Sequence, residues 1–247
     1  MRNIMILLAF IGQLLAQPSF GADYTREKKW ADEVVPGLVV GDPVYLKQAN
    51  QHDFLALYTP AKDAKAAVVL VHGMGVQPDW GLIGVSRIAL ADRGYTTLAV
   101  QMPVLGNEAK EQDYPPTFPE AKERLKLAVD FLKSRGYSNI AIESHSMGSW
   151  MTYAYLTDRP PDAAVKAWVT AGVAAKLDFS KVKLSVLDLY GENDLPEVLA
   201  NAAARKKALA GKPGSRQLMI PKADHFYTGL DNELVKAVAD YLDAKFK

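Results

Sequence analysis

Ser146 stands in the stretch Ser144-His145-Ser146-Met147-Gly148, where an apolar run ends and a run with helical spacing begins. A serine hydroxyl is a poor nucleophile in water. It needs a base within hydrogen-bond reach, an acid to orient that base, and donors for the oxyanion that develops on attack. A sharp strand-to-helix turn supplies part of this. It lifts the hydroxyl above the edge of a sheet and aims a helix N-terminus at the reaction centre. Such a turn crowds the positions two before and two after the serine, and Ser144 and Gly148 are both small. The spacing predicts a nucleophile elbow with Ser146 at its tip.

The base follows by elimination. The histidines are His52, His72, His145 and His225. An elbow of this kind runs nucleophile, acid, histidine in chain order, and only His225 lies after Ser146. His72 reads as the end of a buried strand, and His145 as a residue that the elbow merely includes. The acid belongs between Ser146 and His225. The segment "LDLYGENDLPEV" offers Asp194, with Glu192 as the alternative. Asp188 lies within a strand and Asp178 ahead of one, at the wrong edge. Two backbone N–H groups are needed for the oxyanion: that of Met147, directly after the nucleophile, and that of Met74 in "VVLVHGMG".

These residues need a frame that gathers them. Residues 44–49 and 54–59 read as a hairpin. The run 66–71 is continuously apolar, as suits a strand buried on both faces of a parallel sheet. From there strand and helix alternate to the end. Strands are expected at 95–100, 138–143, 166–171, 183–191 and 215–220, and helices at 82–92, 118–135, 147–156, 195–209 and 230–246. That order implies an α/β fold with parallel strands, right-handed crossovers and helices on both faces. Residues 101–119 form a long loop at the carboxyl edge, where open α/β sheets hold their ligands. Only residues 172–182 separate two late strands, too few for a cap domain.

At these residues the chain resembles the α/β-hydrolase superfamily. The resemblance runs from about Val44 to Phe246 and rests on "VVLVHGMG", "SHSMG", "LYGENDLP" and "ADHF" in that order. The stretch "PDWGLIGVSRIALADRGYTTLAVQMPVL" is also similar to exported bacterial α/β-hydrolase-like proteins. The superfamily implies a mostly parallel sheet of eight strands, the number read above. It also implies a serine hydrolase acting on a small-molecule carboxylic ester or thioester, with Ser146, His225 and Asp194 as the triad. No metal or organic cofactor is implied. Two residues depart from the pattern: Ser144 replaces a glycine, and Glu143 occupies a strand position that is usually apolar. Acyl transfer or peptide cleavage on the same site, and a hydrolase-shaped binding or envelope-assembly protein, stay open as rivals. The acids Glu108, Glu111 and Asp113 in the long loop disfavour anionic substrates. With few large apolar residues on that loop, short acyl groups are expected over long ones.

Composition narrows the setting. The 247 residues, 49% hydrophobic and 23% charged, suit one ordinary globular domain. A formal net charge of +1 points away from nucleic acid. The absence of cysteine excludes disulfides, thiolate metal sites and cysteine nucleophiles. Arg2, the apolar run from Ile4 to Ala16, Pro18 and the small residues after it read as a signal peptide over residues 1–22. The mature chain, 23–247, is then expected in the periplasm or outside the cell, without a membrane span. Composition says nothing of oligomeric state.

Overall fold

A computed structural model of the protein describes residues 21–247. All but the last two residues of the expected signal peptide lie outside that range. The first element is a helix, α1 (Tyr24–Val34). Eight strands follow in one sheet: β1 (Asp42–Lys47), β2 (Asp53–Thr59), β3 (Ala66–Val71), β4 (Tyr95–Val100), β5 (Ile140–His145), β6 (Val165–Ala171), β7 (Ser185–Gly191) and β8 (Arg216–Ile220). Five more helices connect or close it: α2 (Gly81–Ala91), α3 (Phe118–Ser134), α4 (Met147–Asp158), α5 (Pro196–Leu209) and α6 (Asp231–Lys245).

The spatial order is β1-β2-β4-β3-β5-β6-β7-β8. β1 and β2 are antiparallel to their neighbours, and the other six strands run parallel. β3 lies inside the sheet and all six of its residues are buried. Successive side chains of a strand face opposite sides. Accordingly Ala67, Val69 and Val71 pack with the apolar faces of α3 and α4. Ala66, Val68 and Leu70 pack with those of α2 and α6. The continuous apolar runs of the sequence therefore serve two cores at once. Because β3 to β8 are parallel, the loops after β3, β5, β6, β7 and β8 all emerge at one edge.

Most element ends shift from the sequence expectation by one or two residues, and three differences have a plain physical reason. β1 begins two residues earlier, at Asp42, where it pairs with Tyr58. β5 continues through Ser144 to His145, because its ladder with β6 runs on to His145↔Ala171. α1 has no counterpart in the expectation. Its buried residues are only Glu27 and Ala31, so its docking leaves no apolar stripe to read. Glu27 instead meets the buried Arg124 of α3 at 2.9 Å. Residues 172–184, between β6 and β7, hold one 3-10 turn (Phe179–Lys181) and no cap domain. Among the described residues no helix is long and apolar enough to cross a membrane.

Candidate active site

The elbow forms where β5 passes into α4. Ser146 has φ 52° and ψ −121°, a conformation that costs a non-glycine residue on the order of 1–3 kcal/mol. Its own N–H donates to Ala171 O at 2.9 Å, tying the strained residue to the end of β6. Gly148 meets the end of β3. A Cβ there would lie 2.3 Å from the carbonyl oxygen of His72. Ser144 is buried, and its hydroxyl accepts from the indole N–H of Trp168 at 2.7 Å and donates to Ser149 at 3.1 Å. The serine that replaces the usual glycine is thus a hydrogen-bonded part of the turn.

His225 reaches this corner from the loop after β8. Its Nε2 lies 3.1 Å from Ser146 Oγ, and its Nδ1 lies 2.6 Å from Asp194 Oδ1. An ionised carboxylate only accepts, so Nδ1 carries the hydrogen and Nε2 is left to accept from the serine. Asp194 also accepts from the N–H groups of Gly191 and Leu195, at 3.0 and 2.8 Å. Burial alone would raise its pKa. The bonds from His225, Gly191 and Leu195 outweigh that and hold it below the usual carboxylate range. Glu192 faces elsewhere and accepts from Lys222 N at 2.8 Å. Asp188 is buried against Arg205 at 2.9 Å, and Asp178 caps the 3-10 turn that follows it.

Two further histidines frame the site. His145 does more than fill the elbow. Its Nε2 lies 2.9 Å from the carbonyl oxygen of His225, which can only accept. His145 therefore donates there and holds the backbone of His225. Burial, with the charge of His225 second, lowers its pKa to about 3, so it stays neutral. His72 accepts at Nε2 from Met102 N (2.9 Å) and so donates from Nδ1 to Gly73 O (2.8 Å). Burial lowers its pKa to about 4. Gly172, which sequence reasoning passed over, leaves room for the His225 ring. A Cβ there would lie 2.8 Å from His225 Cε1.

A cleft of about 410 Å³ opens over Ser146 and His225. Met74 and Met147 line it, as do Trp80, Trp150, Leu195 and Phe226. The rings of Trp80 and Phe226 meet edge to face at 5.5 Å. The apolar wall thus comes from residues outside the long loop. Of that loop's three acids only Glu111 lines the cleft. Among the described residues no group of His, Asp and Glu is placed to hold a metal ion.

Comparison with known proteins defines the class. A dienelactone hydrolase from Anabaena variabilis superposes with a TM-score of 0.66 at 20% identity, covering 83% of this chain and 99% of its own. Est1E from Butyrivibrio proteoclasticus gives 0.65 at 14%, covering 82% and 98%. A Xanthomonas campestris protein described as an α/β serine hydrolase without lid gives 0.63 at 13%, covering 84% and 95%. The chain has the α/β-hydrolase fold. A family model described as "Protein of unknown function (DUF3530)" matches residues 40–123. No curated protein matches the sequence.

Glu143 lies under the elbow, fully buried on β5. Its Oε1 accepts from Ser86 Oγ at 2.8 Å, and its Oε2 has no partner. Burial pushes its pKa up to about 7, against a small opposing effect of Ser86. The folded protein thus holds a proton that the unfolded chain releases near pH 4.5. Folding should weaken as pH rises from about 4.5 to 7, by about 3 kcal/mol in all at 1.36 kcal/mol per unit. Glu143→Gln removes this dependence. Denaturant unfolding should find the variant close to wild type at pH 4.5 and about 2–3 kcal/mol more stable at pH 8. An equal difference at both pH values would show that the carboxyl is not the source.

Proposed function

We propose that the protein is a serine hydrolase that cleaves a carboxylic ester or thioester through an acyl-enzyme. The observation that carries this reading is the chain Asp194–His225–Ser146, with contacts of 2.6 and 3.1 Å, at the floor of an apolar cleft. Fold relatives whose names include a dienelactone hydrolase support hydrolysis in general.

In this mechanism Ser146 Oγ attacks the carbonyl carbon and gives its proton to His225 Nε2. Asp194 fixes the imidazole tautomer and stabilises the imidazolium. The amides of Met74 and Met147 receive the oxyanion, and α4 adds the positive end of its dipole. His225 then protonates the departing alcohol or thiol, leaving the acyl group on Ser146. A water molecule, deprotonated by His225, attacks the acyl carbon and frees the acid, returning the proton to Ser146.

The substrate reading follows from the cleft. It holds about 410 Å³, no cap domain is inserted between β6 and β7, and its apolar wall is formed by separate side chains such as Trp80, Trp150, Leu195 and Phe226. Glu111 at its side disfavours anionic groups. Short acyl groups therefore fit better than long lipid chains. Arg2 and the apolar run from Ile4 to Ala16 support an exported enzyme, acting in the periplasm or outside the cell. Intact-mass measurement on protein from the native host should find a chain beginning near Ala22 or Asp23, and a product retaining Met1 or Arg2 would remove the export reading.

The triad makes a graded prediction. Wild type should be labelled by a fluorophosphonate, and Ser146→Ala should abolish labelling and lower ester turnover by several orders of magnitude. His225→Ala should do nearly the same, because triad members act as a unit. Asp194→Asn should be less severe than Ser146→Ala, and Glu192→Gln close to harmless. A wild type that takes no label and turns over no ester would leave a binding protein of hydrolase shape.

Chain length gives the second check. A buried methylene is worth about 0.8 kcal/mol, roughly four-fold in kcat/KM where an apolar channel exists. Across p-nitrophenyl esters from acetate to palmitate, kept below their micelle thresholds, kcat/KM should stop rising before about eight carbons. A climb of that size per methylene beyond this point would sink the short-acyl reading.

A further inference from the structure

We propose that Arg26, on α1, is a positioning residue for the oxyanion donor Met74, acting through the Gly75 carbonyl. The inference rests on the serine-hydrolase reading above.

Met74 sits between Gly73 and Gly75, and Gly75 has φ +70°. Glycine populates such conformations at little steric cost, and for the same reason it resists little rotation out of them. A donor stabilises an oxyanion only if it is already aimed when the charge develops. The peptide that carries the Met74 amide is held on one side by His72, which donates to its Gly73 carbonyl, but with glycine before and after Met74 the chain beyond it can still swing. The direction must come from partners of the neighbouring carbonyls.

The Gly75 carbonyl is taken from outside the sheet. Arg26 Nη2 donates to it at 3.1 Å, and Nη1 of the same guanidinium donates to Leu105 O at 2.6 Å. One planar cation thus ties the loop after β3 to the loop after β4. A lysine has a single ammonium at that reach and cannot reproduce the fork. Arg26 is itself held. Its guanidinium lies 4.5 Å from the centroid of the Trp30 ring, and its amide donates to Asp23 Oδ1 at 3.0 Å.

Arg26 is separable from the docking of its helix. The next residue, Glu27, meets the buried Arg124 at 2.9 Å and His52 at 3.2 Å. The Asp23 N–H donates to Val104 O at 2.7 Å. None of these contacts involves the Arg26 side chain, so removing the fork should leave α1 in place. Arg26 is not among the residues lining the cleft, so its effect on catalysis must pass through the loop it holds.

The test uses the mature chain and three variants. In Arg26→Ala, kcat on p-nitrophenyl butyrate should fall about ten-fold, less than the 10²–10³ of losing an oxyanion donor outright, with KM within about two-fold. Affinity for a trifluoromethyl ketone, whose adduct places an oxyanion in the same hole, should weaken by the same factor as kcat/KM. Arg26→Lys should recover only part of the loss. Hydrogen exchange should quicken over residues 73–76 and stay at wild-type rates over 24–34. Lys28→Ala, a surface change on the same helix, should match wild type throughout. Full kcat in a folded Arg26→Ala chain overturns the proposal. So does a loss of kcat in which exchange quickens over all of α1, since the residue would then serve only to dock the helix. A wild type unreactive toward both ester and fluorophosphonate overturns the hydrolase reading and this inference with it. A reactive wild type with an unaffected Arg26→Ala variant overturns this inference alone.

Discussion

Ser146 is held at a backbone conformation that a serine would not choose, and its surroundings are arranged to keep it there. The strain is sustained by three contacts from the two sides of β5. β6 supplies the carbonyl of Ala171 to the Ser146 N–H. His72, just after β3, supplies a carbonyl against which α4 can start only because residue 148 is glycine. Trp168 supplies an indole N–H to the hydroxyl of Ser144. Each partner lies on or directly after one of the two strands next to β5. The elbow is therefore a property of the ordered parallel sheet and would relax in an isolated strand–turn–helix.

The site also separates its histidines by what faces them. His72, His145 and His225 are all buried at the carboxyl edge. His72 and His145 each donate to a backbone carbonyl and are kept neutral by burial. Only His225 has a carboxylate behind it. A carboxylate stabilises the imidazolium, whereas a carbonyl orients a ring without favouring its charge to the same degree. One residue type thus serves as scaffold at His72 and His145 and, in the proposed mechanism, as base at His225, and the partner makes the difference.

Buried arginines hold the loops around this edge. Arg87 on α2 meets Asp79, ahead of Trp80, at 2.6 Å. Arg124 on α3 donates to the carbonyl of Gln101, where the long loop begins, at 3.0 Å. Arg205 on α5 pairs with Asp188 and donates to the carbonyl of Val173, just after β6, at 2.9 Å. Taking such cations out of water is costly, and the pairs add little net stability over apolar packing. What a planar guanidinium adds is geometry, since several donors at fixed angles can span a helix, a strand and a loop.

The amino-acid order by itself determined the frame. Apolar runs of strand length separated by helical periods imply a parallel sheet, and β3, α2, β4, α3 and α6 lie close to where their patterns place them. The elbow was legible because Ser144 and Gly148 bracket Ser146 at the one spacing such a turn tolerates. Chain order with so few histidines left only His225 as its partner. The order could not choose between Asp194 and Glu192. Both follow β7 within three residues, and only the path of the loop decides that Asp194 meets His225 while Glu192 turns to Lys222. Nor could it show α1, whose docking rests on the ion pair of Glu27 with Arg124, residues far apart in the chain and polar in pattern. The same holds for the part played by His145, the space left by Gly172 and the aromatic wall of Trp80 and Phe226. Local periodicity records what a segment must bury. Which polar groups meet across the edge of a sheet depends on crossovers that bring distant loops together, and that information exists only once the chain has closed on itself.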